Sequence, residues 1–276
     1  MFEQGRKTKR KLKFGQRVIV VPYISCKKCS ACLDSKENCC EKVSVIGVHQ
    51  DGGFCEYLSV PEENLIPISP YISTSIAPII ETLAVSYHAV RRMNINPNDQ
   101  CLIIGAGPIG IGAALIANAV AGCKIILADC SKSKLKNLSN ITGITTLEYQ
   151  NLDKFLMDIK EKFQILPNKI IDATGNPQSM NNTPNLIRHG GSILFLGIHK
   201  KNIEISDMEF HKKEVTLFAS RNANLQDFSG VINIIRQIDI QKMITQEINF
   251  HDLPSFFKDF RKKHAHNIKT IVRVSD

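Results

Sequence analysis

No apolar run in the chain approaches the roughly 18–20 residues that a membrane-spanning helix needs. The stretch Gln16–Ile24 is too short and is polar at both ends, so no membrane partner is expected. The start of the chain carries positive charge but lacks the apolar h-region of a secretory signal, and the expected location is cytoplasmic. No internal repeat and no low-complexity linker is visible. Acidic residues are the scarcer sign: 26 Asp and Glu face 35 Lys and Arg, a net charge of +9. Six of the cations lie within Arg6–Lys13 (RKTKRKLK). Such an octamer can neutralise phosphates, but no aromatic-studded strand or recognition helix accompanies it. It reads as a solvated lead-in to the first strand, with no nucleic-acid partner.

What is present is ordinary globular composition. Hydrophobic residues make up 43% of the 276 and charged residues 22%, which excludes a disordered or fibrous chain. The length allows two domains with proper cores, at about 100–200 residues each. Nine cysteines occur, five of them between Cys26 and Cys40. A disulfide framework suits a short secreted chain with an even count. The cluster therefore points to a metal.

Along the chain, KFGQRVIVVPYI (13–24) is strand-like and broken by Pro22, and Val43–Val60 carries strand patches around the turn at 50–53. Four prolines in residues 61–80 suit an irregular crossover, followed by a helix from about Ile80 to Met93 and a turn at Asn94–Asp99. Strand and helix then alternate. CLIIG, KIILAD, NKIIDATG, GGSILFLG and KEVTLFAS are strands; IGIGAALIANAVAG, SKSKLKNLSNI and roughly Pro177–Arg188 are helices. Unbroken apolar strands alternating with helices predict a doubly wound α/β parallel sheet. The remainder gives a helix (DFSGVINIIRQI), a β-like patch, a second helix (LPSFFKDFRKK) and the strand IKTIVRV.

Gly105-Ala106-Gly107-Pro108-Ile109-Gly110 directly follows the strand CLII and opens a helix. In that context Gly105 permits a tight turn, Gly107 lets backbone approach a pyrophosphate, and Gly110 allows close helix–strand packing. The helix N-terminus offers unpaired N–H groups and partial positive charge to phosphates. Asp129 ends the next strand, nineteen residues after Gly110. Its carboxylate can accept hydrogen bonds from ribose hydroxyls and would repel a 2′-phosphate, which favours NAD; Lys132 and Lys134 keep NADP open.

The spacing Cys26-x2-Cys29-x2-Cys32-x7-Cys40 can close four thiolates around Zn2+ with no open position. Such a site is structural, replacing a core in a loop too small to have one. Cys39 is an alternative fourth ligand, and a redox-active cysteine here is the functional alternative. Glu81 opens the helix ETLAVSYH after an apolar, proline-containing stretch. It either faces a cleft or serves as an N-terminal carboxylate favoured by the helix dipole.

Together the cysteine spacing, the crossover helix, GAGPIG, GVHQDGGFCEYLSVP, IDATGN and GGSILFLG resemble the zinc-containing medium-chain alcohol dehydrogenases. The resemblance covers essentially the whole chain. The strings NCCEKVSVIGVHQDGGF, HAVRR, MNNT, NLIRHGG, EFHKKE and SRNA are similar to a bacterial branch acting on L-galactonate-like sugar acids. It implies a Rossmann fold inserted into a β-rich GroES-like catalytic domain. Residues 1–80, with the cysteine lobe, and 243–276 would form the split catalytic domain, and 81–242 the NAD-binding domain. It implies an oxidoreductase that converts a secondary alcohol of a sugar acid or polyol to a ketone with NAD and zinc, as a dimer or tetramer. ILFLG and VTLFAS are candidate edge material for that assembly. Cofactor-binding residues would be Gly105, Gly107, Pro108, Ile109, Gly110, Asp129, Thr174, Gly175, Gly197 and Arg221, with Ile198 beside them; Arg221 is otherwise a surface arginine.

The family's catalytic-zinc cysteine (in a G-I-C-G motif) and histidine (in G-H-E) have no counterpart in this sequence. Glu81 matches the glutamate of the family's E-P-L/F-A-x-x-x-H stretch, with Thr82 in place of proline. Glu81 and, more weakly, His49 are the remaining catalytic candidates, while His88 is expected to pack on its helix. The expectation is an N-terminally truncated dehydrogenase or a naturally shortened relative. The alternative is a catalytically silent protein that binds NAD and zinc.

Overall fold

The computed structural model describes residues 12–263 and 267–274. The chain opens with short elements: β1 (Val18–Val20), β2 (Tyr23–Ile24), α1 (Ser30–Leu33), β3 (Ser44–Val45) and β4 (Leu65–Pro67). β1 pairs antiparallel with β4 and β2 with β3. The crossover helix α2 (Ile79–Arg92) leads into an alternating series: β5 (Gln100–Ile104), α3 (Pro108–Ala121), β6 (Lys124–Asp129), α4 (Lys132–Lys136), β7 (Ile144–Glu148), α5 (Leu152–Phe163), β8 (Lys169–Asp172), α6 (Pro177–Leu186), β9 (Ser192–Phe195), α7 (Asp207–Lys213), β10 (Thr216–Ala219) and α8 (Leu225–Ile234). It ends in β11 (Ile244–Asn249), α9 (Leu253–Lys263) and β12 (Lys269–Arg273), with β11 and β12 parallel.

Six strands form one parallel sheet in the order β7-β6-β5-β8-β9-β10. The chain starts in the middle, at β5, winds outward to β7, then crosses back to β8. That reversal leaves a crevice outside the carboxyl ends of β5 and β8, where ligands of open α/β sheets bind.

The unbroken apolar strands are explained by burial on both faces. Cys101 and Ile103 of β5 pack with Ile125 and Leu127 of β6 under α2, α3 and α8. The alternate residues Leu102, Ile104, Ile126 and Ala128 pack on the other face with Phe155, Ile159 and Phe163 of α5. Each Leu, Ile or Phe among them contributes about 1.5–3 kcal/mol by leaving water. Asn151 caps α5, Asn176 caps α6, and Asn224 with Asp227 forms a capping box on α8. Pro184 lies inside α6, where its missing N–H would strand the Met180 carbonyl. The Thr183 hydroxyl donates to that oxygen at 2.7 Å, so the helix continues.

Several local expectations need correction. The strand patches in Val43–Val60 reduce to Ser44–Val45, and the rest of that stretch is a glycine-bent loop. The irregular crossover contains β4, because Leu65–Pro67 is captured as a partner by β1. The helix at 131–141 stops at Lys136 and breaks into turns around Leu138 and Ile141. β7, α5 and α7 were not anticipated at all. ITTLE of β7 is apolar only at Ile144 and Leu147, and it is an edge strand, paired on one side with β6. Most of the basic octamer Arg6–Lys13 lies outside the described residues, and among those residues no helix is long and apolar enough to cross a membrane.

α2 and α3 pack closely at Gly112. A Cβ there would stand 2.6 Å from the Ser86 hydroxyl oxygen, which itself bonds the Ile109 carbonyl at 2.8 Å. Gly112→Ala should therefore cost about 1–3 kcal/mol in urea unfolding, the usual result of overpacking. Unchanged stability would mean that the two helices are not held this close.

Candidate functional site

The glycine turn is built by exclusion. Gly105 has φ +105°, a conformation that side chains disfavour, and a Cβ on it would lie 3.2 Å from the Ala173 carbonyl carbon. A Cβ on Gly110 would overlap the Gly105 carbonyl oxygen. Gly107 differs: nothing lies within 4 Å of its absent Cβ. It is the N-cap of α3, with Pro108 pre-set in the first turn. The first N–H groups of the helix, Ile109 and Gly110 among them, lack an intrahelical acceptor and point their positive end at this opening.

Asp129, at the end of β6, accepts from the Ala106 N–H (2.7 Å) and the Ser131 N–H (2.8 Å), one on each carboxylate oxygen. The Cys130 thiol also reaches Oδ1 at 3.7 Å, so the carboxylate shapes the turn and keeps a lone pair on Oδ2 for a ligand. On the β8 side, fully buried Asp172 accepts from Thr174 Oγ1 (2.6 Å), Thr174 N–H (2.9 Å) and Ser179 Oγ (2.5 Å). Burial pushes its carboxyl above the usual carboxylate range, against the pull of those donors. Gly175 has φ +61° and leaves room for the Ile198 carbonyl, while a Cβ on Gly197 would overlap the Gly175 backbone. The loops after β8 and β9 thus touch backbone to backbone, with Ile198 88% exposed beyond them.

Gly105, Gly107, Pro108, Ile109, Gly110, Asp129, Thr174, Gly175 and Gly197 therefore gather at the carboxyl ends of β5, β6, β8 and β9. Arg221 lies two residues beyond β10 with an exposed side chain, and its carbonyl accepts from the Asn38 amide.

Cys26, Cys29, Cys32 and Cys40 bring their Sγ atoms within 4.8 Å of one another. The separations are 4.0 Å for 26–32, 3.5 Å for 29–32 and 4.0 Å for 29–40. A tetrahedral zinc with bonds of about 2.3 Å needs sulfurs about 3.8 Å apart. The residues fit that ion. Backbone N–H groups of Lys28 and Cys29 draw the Cys26 thiol down to about 6, and those of Glu41 and Cys32 lower Cys29. Desolvation and the neighbouring Cys29 sulfur push Cys32 up to about 12, a repulsion that a divalent cation would relieve. Cys39 is exposed and outside the cluster, so the structure gathers Cys40.

Glu81 sits in the first turn of α2, and Tyr23 donates its phenol to Glu81 Oε1 at 2.5 Å. Burial, and next the Glu81 charge, push the Tyr23 phenol well above its usual range, so it remains a donor. Lys269 of β12 donates to the adjacent Thr82 hydroxyl at 2.9 Å. His49 is exposed in the glycine loop, its Nδ1 accepting from Val45 N–H at 2.9 Å. Among the described residues, the four cysteines are the one cluster of three or more metal-ligating side chains; Glu81 and His49 do not form one.

Residues 108–237 match the zinc-binding dehydrogenase model and 3–70 the alcohol dehydrogenase GroES-like domain. The chain is 46% identical over 254 residues to the L-galactonate-5-dehydrogenase of Escherichia coli K12, covering 90% of this chain and 73% of that one. The chain belongs to the zinc-binding dehydrogenase family. Its fold superimposes with a TM-score of 0.86 on the RspB alcohol dehydrogenase of E. coli CFT073, solved with NADH, at 27% identity over 95% of this chain and 77% of that one. It also superimposes on the 2R,3R-butanediol dehydrogenase of Bacillus subtilis, with a TM-score of 0.87 and 23% identity, over 99% and 78% of the two chains. The zinc-binding dehydrogenase fold thus accounts for both the parallel sheet and the short paired strands that precede it.

Sequence reasoning missed Tyr23, Asp172 and Ser179 as parts of this site. Asp172 carried a signal: a carboxylate ending an apolar strand, within the quoted IDATGN. Tyr23 carried none, since its partner lies 58 positions away.

The two interior glycines make opposite predictions. Gly110→Ala forces a Cβ into backbone and should cost at least about 1–3 kcal/mol of stability. Gly107→Ala enters open space and should cost only about 0.5–1 kcal/mol, the preference for glycine over alanine at an N-cap. Equal losses in thermal or urea melts would contradict the turn geometry.

Proposed function

We propose that this zinc-binding dehydrogenase transfers hydride to NAD from a secondary alcohol of a sugar acid, of the L-galactonate kind, leaving a ketone, NADH and a proton. The observation that carries it is the meeting of an open, N–H-lined turn at Gly107 with Asp129 at one sheet edge, in a chain 46% identical to an L-galactonate-5-dehydrogenase. When bound, the nicotinamide supplies the hydride acceptor. The first turn of α3 holds the pyrophosphate, and Asp129 takes the adenosine ribose hydroxyls and repels a 2′-phosphate. Thr174, Gly175 and Gly197 line the crevice, with Ile198 available as an apolar wall. Cys26, Cys29, Cys32 and Cys40 hold a closed zinc that cross-links their loop and touches no substrate. In this reading residues 1–80 and 243–276 are the split catalytic part, and 81–242 bind NAD in a soluble homo-oligomer.

A second reading is favoured by the surroundings of Glu81. Its Oε1 is occupied by Tyr23, and no histidine or cysteine forms a metal cluster with it among the described residues. The chain by itself is then an NAD- and zinc-binding protein without a catalytic metal. Native mass spectrometry of this chain separates the two: one zinc per chain supports the second reading, and two support the first. NADH formation with L-galactonate and NAD is the direct assay for the first.

Asp129→Ala should weaken NAD binding by at least about tenfold, the effect of one lost charge-assisted contact, and leave NADP much less affected. Equal losses would sink the ribose role. Cys29→Ser should release the zinc and loosen residues 26–40 to proteolysis; stoichiometric zinc retained in that variant would exclude the four-cysteine site.

A further inference from the structure

Between the cysteine lobe and the nucleotide half lies a buried polar chain that neither the crevice nor the metal loop requires. Asn38, 4% exposed and two residues before Cys40, sits in the short 3-10 turn Glu37–Cys39. Its amide Nδ2 lies 3.2 Å from His88 Nε2 and donates to the Arg221 carbonyl at 3.0 Å. Its backbone carbonyl accepts from the Asn222 amide at 3.3 Å. His88 Nδ1 in turn meets Asp227 Oδ2 at 2.9 Å, and Arg91 reaches Asp227 Oδ1 at 2.9 Å. Asp227 is fully buried and closes the capping box of α8. The pattern determines the tautomer: Nδ1 carries the proton toward the carboxylate, and Nε2 accepts from Asn38. His88, expected only to pack on its helix, is therefore the middle of a relay.

The same helix reaches the phosphate turn. Two residues before His88, the Ser86 hydroxyl donates to the Ile109 carbonyl in the first turn of α3 at 2.8 Å. At its start α2 carries Glu81. α2 is thus a rigid bar with one contact at the cysteine lobe and another at the nucleotide turn.

We infer that Asn38 is a positioning residue, through which metal binding in the cysteine lobe sets the nucleotide affinity of the crevice by way of His88 and α2. The inference rests on the proposed zinc and NAD sites. An emptied lobe no longer holds the turn at Asn38, which frees the His88 ring and the loop before α8. A bar that can shift presents the α3 turn less well to a pyrophosphate. Coupling of this kind is a free energy between two binding events and must be reciprocal.

The test is a cycle on the full chain: NADH dissociation constants with zinc loaded and after chelation, in the parent and in Asn38→Ala. In the parent, chelation should weaken NADH by about five- to tenfold, the lower range of measured couplings. In Asn38→Ala the zinc-loaded affinity should already be reduced, and chelation should change it less than about twofold. Equal chelation effects in the two proteins would overturn the inference. So would a parent that binds zinc and NADH independently. A parent that binds no zinc, or no NADH, instead removes the reading beneath it. Hydrogen exchange on the parent alone gives a second measure, should Asn38→Ala fail to fold. Zinc removal should deprotect residues 37–39, α2 and 221–227 while leaving β7 and α5 unchanged; uniform change, or change confined to 26–40, would refute the coupling.

Discussion

The contact between Gly110 and the Gly105 carbonyl is the constraint on which the crevice depends. α3 can follow β5 so closely only because no Cβ stands between helix and turn. That approach aims the unpaired N–H groups of the helix at the space beyond β5. It also brings the Ala106 N–H onto Asp129, so a neighbouring strand fastens the turn through a carboxylate whose Oδ2 still has a lone pair to offer. The opposite wall repeats the device, with Gly175 and Gly197 passing backbone to backbone and Asp172 gathering three donors. Both walls are shaped by missing side chains and stiffened by carboxylates, Asp129 half-buried and Asp172 fully buried.

The cysteine lobe obeys a different economy. Residues 26–40 contribute one buried apolar side chain, Cys40, and no helix longer than a single turn. Backbone N–H groups directed at sulfur, from Cys26, Cys29 and Lys42, prepare it for a cation. The lobe is then joined to the rest of the molecule by polar contacts through Asn38. A hydrophobic seam would hold the lobe whether or not the metal is bound. Directional hydrogen bonds hold only while the turn keeps its shape, which makes the joint sensitive to the metal.

The core of this fold was legible in the strands. CLII, KIILAD, KIID and SILF are apolar at successive positions because helices cover both faces, and burial leaves little choice of residue. The turn of GAGPIG was equally plain, since its demands are local. What escaped were elements whose residues answer to only one side. β7, at the sheet edge, is half polar; α7 is short, exposed and rich in charge. Of the strand patches around the 50–53 turn only Ser44–Val45 found a partner strand, β2. β4 looked like loop and found β1.

The sequence by itself determined five of the six strands of the sheet, the phosphate turn and the first three cysteines of the cluster, because each follows from neighbours a few positions apart. Only the tertiary structure decided what surrounds Glu81 and His88. Tyr23, Lys269, Asn38 and Asp227 reach α2 from positions 58, 187, 50 and 139 residues away along the chain. Such pairings leave no period or spacing in the sequence. They exist because the partly buried phenol, imidazole and Glu81 and the fully buried Asp227 must find partners wherever packing brings them, and a polar group withdrawn from water and left alone is strongly destabilising.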